Sequence, residues 1–158
     1  MSTLWTREKN RIAMPTNLVE QIDSLNLPDG TLLDGEIWNP LKRGSWKHHS
    51  GISCKLTFWD TIRIGGSSVQ HQPIEYRFEK LSELLNSASK DVSIVPRFEA
   101  TAEQYMKVLA SVKAARQASE LRSGFIHGAV LKRKGSPRRD SNVRCVEHPD
   151  WLKIVIEP

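Results

Sequence analysis

The run Lys55-Leu56-Thr57-Phe58-Trp59-Asp60-Thr61-Ile62-Arg63-Ile64 is dense in β-branched and aromatic side chains, and Gly65-Gly66-Ser67-Ser68 breaks it. Such side chains suit the pleated surface of a strand and lose rotamer freedom against the turns of a helix. A chain carrying this segment builds a sheet around it, and a helical bundle is excluded. Shorter strands are predicted at Leu4-Trp5-Thr6, at 31–38 between Pro28-Asp29-Gly30 and Asn39-Pro40, at Ser93-Ile94-Val95 before Pro96, and at 125–131 and 151–156. Helical spacing places Leu18, Val19, Ile22 and Leu25 on one helix with Thr16 as its cap. A second helix spans 76–88, with Phe78, Leu81, Leu84 and Leu85 on one face. The third and longest opens on the capping box Thr101-Ala102-Glu103-Gln104. It carries a stripe of Tyr105, Val108, Leu109, Val112 and Ala115, and Gly124 stands in its C-cap position. Residues 41–50 are polar and basic, a loop or short helix. Strands and helices intermixed, with an antiparallel component and no repeat, give an α+β class.

At 158 residues the chain suits one domain spanning 1–158. It has no apolar run long enough for a membrane span. Met1-Ser2-Thr3-Leu4 passes directly into Trp5-Thr6-Arg7-Glu8 without a signal region, so a cytoplasmic, membrane-free protein is expected. Cys54 and Cys145 are far apart and read as reduced thiols. The adjacent His48-His49 lacks metal-ligand spacing. The net charge of +5 and pI near 9.4 favour a polyanionic partner. That charge concentrates in Lys132, Arg133, Lys134, Arg138 and Arg139, within eight residues free of acids. The cluster is either a solvated loop or a phosphate-facing surface.

Four segments carry the chemistry. In Leu33-Asp34-Gly35-Glu36-Ile37-Trp38, strand alternation puts Asp34 and Glu36 on one face. There they would take a sugar hydroxyl or a divalent metal, or stand as a solvent-facing edge. In Phe58-Trp59-Asp60 the adjacent rings face opposite ways, so one packs inside while the other can stack on a base, unless both are core. His127-Gly128-Ala129-Val130-Leu131-Lys132 ends on a lysine able to reach an anion. Lys153 interrupts the apolar run of Trp151-Leu152-Lys153-Ile154-Val155, either as an edge lysine or paired with an acid or phosphate.

In this order the segments resemble the nucleotidyltransferase domain of ATP-dependent DNA ligases and their RNA-ligase and capping-enzyme relatives. That family orders a D-G-E strand, an aromatic-Asp strand, an E-G-x-V-x-K strand and a W-L-K-x-K strand. Trp5-Thr6-Arg7 is similar to the element following the family's catalytic lysine, and Ser136-Pro137 to its Ser-Pro after the E-G-x-V-x-K strand. The resemblance implies an ATP-grasp-like fold with antiparallel-rich sheets flanked by helices, and ATP and Mg²⁺ as cofactors. It implies nick sealing in DNA replication, repair or recombination. A lysine is adenylated by ATP, AMP passes to a 5′-phosphate, and a 3′-hydroxyl displaces it. Carried over residue by residue, Glu36 contacts the ribose or, with His127, the metal. Trp59 or Phe58 stacks on adenine, and Arg7 and Arg144 contact phosphate. Lys132 and Lys153 neutralise the α-phosphate, and Arg133, Lys134, Arg138 and Arg139 face nucleic acid.

The departures matter as much. The family's nucleophile lies in K-x-D-G, yet Asp29-Gly30 and Asp34-Gly35 are preceded two residues earlier by Leu27 and Leu32. His127 stands where the family has a metal-binding glutamate, and Val155 where it has a second lysine. No closing OB-fold domain follows. The expectation is an incomplete module, inactive alone. It is either a ligase piece whose K-x-D-G is encoded just upstream of the given start or supplied by a separate polypeptide, a non-catalytic nucleotide- or nucleic-acid-binding module, an RNA-ligase-type relative, or a marginally folded remnant. Its expected partner is nicked duplex DNA or another polynucleotide.

Overall fold

A computed structural model describes residues 2–6, 9–38, 54–87, 89–120, 128–138 and 150–155. In chain order the elements are β1 (Leu4–Trp5), β2 (Arg11–Ile12), α1 (Thr16–Asp23), β3 (Leu32–Trp38), β4 (Lys55–Ile64), β5 (Ser67–Ser68), α2 (Ile74–Leu84), β6 (Val92–Ile94), α3 (Ala102–Glu120), β7 (Gly128–Lys132) and β8 (Trp151–Val155). The class is α+β with antiparallel sheets, as expected from the sequence. β4 is the spine. It pairs antiparallel with β3 and β5 and parallel with β6. The pairs β1–β2 and β7–β8 form two separate antiparallel ribbons. Among the described residues no helix is long and apolar enough to cross a membrane.

Alternation along β4 puts Leu56 and Phe58 on the face that α1 and α2 cover. Leu18 and Ile22 of α1, Leu81 of α2, Leu85 just beyond it and Val92 of β6 close one core with Leu56, Phe58 and Cys54. Burial pushes the Cys54 thiol upward, so it stays protonated. On the opposite face Trp38 Nε1 donates to Thr57 Oγ1 at 3.0 Å, and Thr57 and Ser93 share a hydrogen bond at 3.0 Å. Trp59 lies half-buried.

A bulge in β4 shifts its register against β3. Asp34 stands opposite Asp60 and Gly35 opposite Phe58, so the register skips Trp59. Glu36 is exposed and opposite Thr57. The extra residue lies in β4, and Leu33 and Ile37 of β3 both pack against the core, as alternation along β3 predicts. At the bulge the strands approach closely: a Cβ on Gly35 would lie 2.6 Å from the Thr57 carbonyl oxygen and 2.8 Å from Phe58 Cδ1. Glycine is there for clearance.

The helices differ from expectation at their ends. Pro15 occupies the N-cap of α1 in an extended conformation, which makes Thr16 the first helical residue instead of the cap. Thr101 does cap α3, accepting from Gln104 N at 3.1 Å. Yet Tyr105, Val108 and Leu109 are only half-buried and Met106 is exposed, because α3 packs on the narrow β7 and not on the main sheet. Gly124 and residues 125–127 lie outside the described residues. We expect Gly35→Ala to cost about 1–3 kcal/mol through overpacking, read as a lower urea midpoint at unchanged m-value.

Candidate functional site

Helix α2 presents Ile74, Arg77, Leu81 and then Leu85 to β4, a helical stripe with one charged member. Arg77 is fully buried, as is Asp60 opposite it. Arg77 Nε donates to Asp60 Oδ1 at 2.8 Å and Nη2 to Oδ2 at 3.1 Å, a bidentate pair. Its Nη1 donates to the Gln72 carbonyl at 2.6 Å and to the Ser136 carbonyl at 3.2 Å. Asp60 Oδ1 also accepts from Thr61 N at 2.9 Å.

The contact with Ser136 brings in the basic segment. Its turn rests on Gly135, whose φ of +75° favours glycine. Gly135 N donates to the Glu75 carboxylate at 3.0 and 3.1 Å, and Arg138 N to the Gln70 carbonyl at 2.7 Å. Arg138 Nη1 then reaches Asp34 Oδ2 at 2.7 Å and Asp60 Oδ2 at 3.3 Å. Burial opposes its charge, but Asp34 and then Asp60 more than offset this and raise its pKa. Asp34 and Asp60 stand opposite each other across β3 and β4, which lets one arginine span both aspartates. At the outer end Arg133 Nη1 pairs with Asp150 at 2.8 Å, while its side chain stays largely exposed beside exposed Lys134. A shallow, open hollow is lined by Arg133, Lys134, Gly135, Ser136, Pro137 and Asp150.

Lys132 closes β7 opposite Trp151 of β8, with Nζ 4.1 Å from the centre of the Trp151 ring. Among the described residues no carboxylate lies within ion-pair distance of it. Burial above all pulls its ammonium down to about 8; Asp60 offsets part of this, while Arg97, Arg77 and Arg138 add repulsion. Arg97, in the segment after β6, stacks on Phe78 at 4.3 Å. Its pKa is likewise lowered by burial.

The expected site residues thus separate into groups. Lys132 and Arg138 meet at the Asp60 cluster, with Arg133 and Lys134 on its rim. Phe58 is in the core, whereas Trp59 is half-buried and Glu36 is exposed opposite Thr57. Lys153 falls opposite Val130 in the β7–β8 register. Arg7, His127, Arg139 and Arg144 lie outside the described residues. Asp60, Arg77 and Arg97 were not anticipated as site residues. The signal for Arg77 was its place at helical spacing between Ile74 and Leu81, where a charge needs a buried partner.

The cluster suits an anion better than a metal. Among the described residues no group of three or more His, Cys, Asp or Glu side chains could hold a metal ion. The two aspartates are already held by arginines, so these residues do not by themselves make a Mg²⁺ site. Lys132 and Arg97, by contrast, are cations without an acid partner among the described residues. Compared with protein-family models, curated proteins and solved structures, the chain matches none.

Arg77→Met should cost about 3–5 kcal/mol in chemical denaturation by stranding buried Asp60. Adding Asp60→Leu should recover more than half of that loss, because Arg138 keeps Asp34. The depressed Lys132 sets a pH trend of definite sign. Between about 8 and the ordinary lysine range the unfolded chain binds the extra proton, so stability rises with pH there. Lys132→Met should be more stable at pH 7 and should flatten that rise, measured by urea denaturation at pH 7 to 10.

Proposed function

We propose that this chain is part of an adenylation domain of the ATP-dependent DNA ligase kind, one that binds ATP phosphates and polynucleotide but is not self-sufficient in catalysis. The observation carrying this reading is Lys132, a desolvated ammonium with no acid partner among the described residues, at the end of a strand beside Arg97 and Arg138. A phosphate brought to it would restore the charge balance that burial has removed. The ordered likeness of Asp34-Gly35-Glu36, Phe58-Trp59-Asp60, the strand ending at Lys132, and Trp151-Leu152-Lys153 to the ligase motifs supports the same reading. In it Lys132 and Lys153 neutralise the α-phosphate, Trp59 offers a ring to adenine and Glu36 a carboxylate to the ribose. Any Mg²⁺ would arrive on the nucleotide, and the nucleophilic lysine would come from a K-x-D-G segment on another polypeptide.

A second reading, a non-catalytic nucleic-acid-binding module, is favoured by the exposure of Arg133 and Lys134. Incubation with labelled ATP and Mg²⁺ separates the two. The ligase reading expects ATP retention in equilibrium dialysis, weakened by Lys132→Met, with protein-bound AMP forming only after a K-x-D-G polypeptide is added. No ATP retention, together with nicked-DNA binding whose log–log salt slope is about −2 to −3, would select the second reading.

A further inference from the structure

The turn at Gly135 holds one polar group that its own fold does not satisfy. Ser136 is 3% exposed and its backbone is pinned on both sides: its N–H donates to the Arg133 carbonyl at 3.2 Å, and its carbonyl accepts from Arg77 Nη1 at 3.2 Å. Its Oγ is buried with no hydrogen-bond partner among the described residues. Such a hydroxyl is costly to bury unless a partner comes to it. Ser136 also lines the hollow that Arg133, Lys134, Gly135, Pro137 and Asp150 complete, about 190 Å³ in volume. That is below the roughly 300 Å³ at which pockets begin to take drug-sized ligands, so it suits a small group. The rim supplies positive charge. Lys134 is exposed, and Arg133 gives only Nη1 to Asp150, at 2.8 Å, which leaves Nε and Nη2 for a second anion. The two carboxylates at hand are engaged, Asp150 with Arg133 and Glu75 with the Gly135 N–H at 3.0 and 3.1 Å.

We propose that this hollow is a phosphate-binding site, in which one phosphate group lies between the Arg133 guanidinium and the Lys134 ammonium and accepts a hydrogen bond from Ser136 Oγ. A serine hydroxyl reorients by turning about one bond, and this one has no partner to give up in turning. The free edge of Arg133 can pair two phosphate oxygens at once, and Lys134 adds a point charge. Ser136 is what separates the site from loose surface charge. A hydroxyl whose backbone is fixed gives direction, whereas exposed cations give only attraction. The site deepens the nucleic-acid-binding reading, on which it rests for the polynucleotide as the source of the phosphate, and it involves neither ATP nor Lys132.

The test titrates the isotope-labelled full chain with inorganic phosphate, at ionic strength held constant with sodium chloride, and follows amide resonances by NMR. A second titration uses a duplex oligonucleotide with hydroxyls at all its ends. Phosphate should move the Lys134, Gly135 and Ser136 amides saturably, and chloride should not. Ser136→Ala should weaken phosphate binding about tenfold, the effect of one hydrogen bond to a charged group. Its thermal midpoint should be equal to or above that of the parent chain, because the variant loses a buried hydroxyl that has no partner. Lys134→Gln, at an exposed position, should also weaken phosphate binding without moving the melt. The duplex should compete with phosphate and lose affinity with Ser136→Ala. A duplex that fails to bind, or that binds Ser136→Ala as tightly, assigns the site to a free phosphomonoester, and only the first of these sinks the nucleic-acid reading. Amide shifts no larger with phosphate than with chloride, or undiminished phosphate binding by Ser136→Ala, would overturn the site whatever the duplex does.

Discussion

The bidentate pair between Arg77 and Asp60 is the contact on which the arrangement of the other elements depends. Arg77 sits where an aliphatic residue would complete the stripe of α2, and Asp60 meets it from β4. Each is fully buried. A buried ion pair is weak as a source of stability, because desolvation consumes most of the attraction, but removing one partner is costly. Its consequence here is geometric. The guanidinium satisfies Asp60 along one edge and, through Nη1, the carbonyls of Gln72 and Ser136, so one side chain ties β4, the entry to α2 and the basic segment together.

Arg138 extends that network. It crosses from the basic segment to Asp34 and Asp60, and its backbone N–H is tied to Gln70. Of the basic segment, Arg138 is folded against the end of the main sheet, while Arg133 and Lys134 stay exposed. The two aspartates are then engaged, and among the described residues no carboxylate lies within ion-pair distance of Lys132. Burial above all, with Arg97, Arg77 and Arg138 adding repulsion, gives Lys132 its lowered proton affinity.

Much of the fold was legible in the residues. The long strand at 55–64, the β3 strand and the cap at Thr101 follow from local chemistry. These features depend on periodicity and turn preferences acting within a few residues. The bulge at Trp59 was not legible, because it arises from how two strands register. The role of Arg77 was hidden for a related reason: a charged residue on an apolar stripe announces a partner without naming it. Lys132 stood out as an anion-facing strand end, but its lowered basicity comes first from burial and then from Arg97, Arg77 and Arg138, with Asp60 opposing, all set by the folded chain.

Composition and pattern were sufficient to determine an α+β chain organised around one long strand, with a concentrated basic segment. Those properties are local, set by side-chain shape, turn chemistry and charge within short windows. Which acid meets which base was decided only by the folded chain. Asp34 and Asp60 are brought together by strand register, Arg77 by the facing of a helix, and Arg138 by a turn at Gly135 docked on Glu75. Electrostatic partnership depends on distance and burial, and a linear chain has neither until it folds.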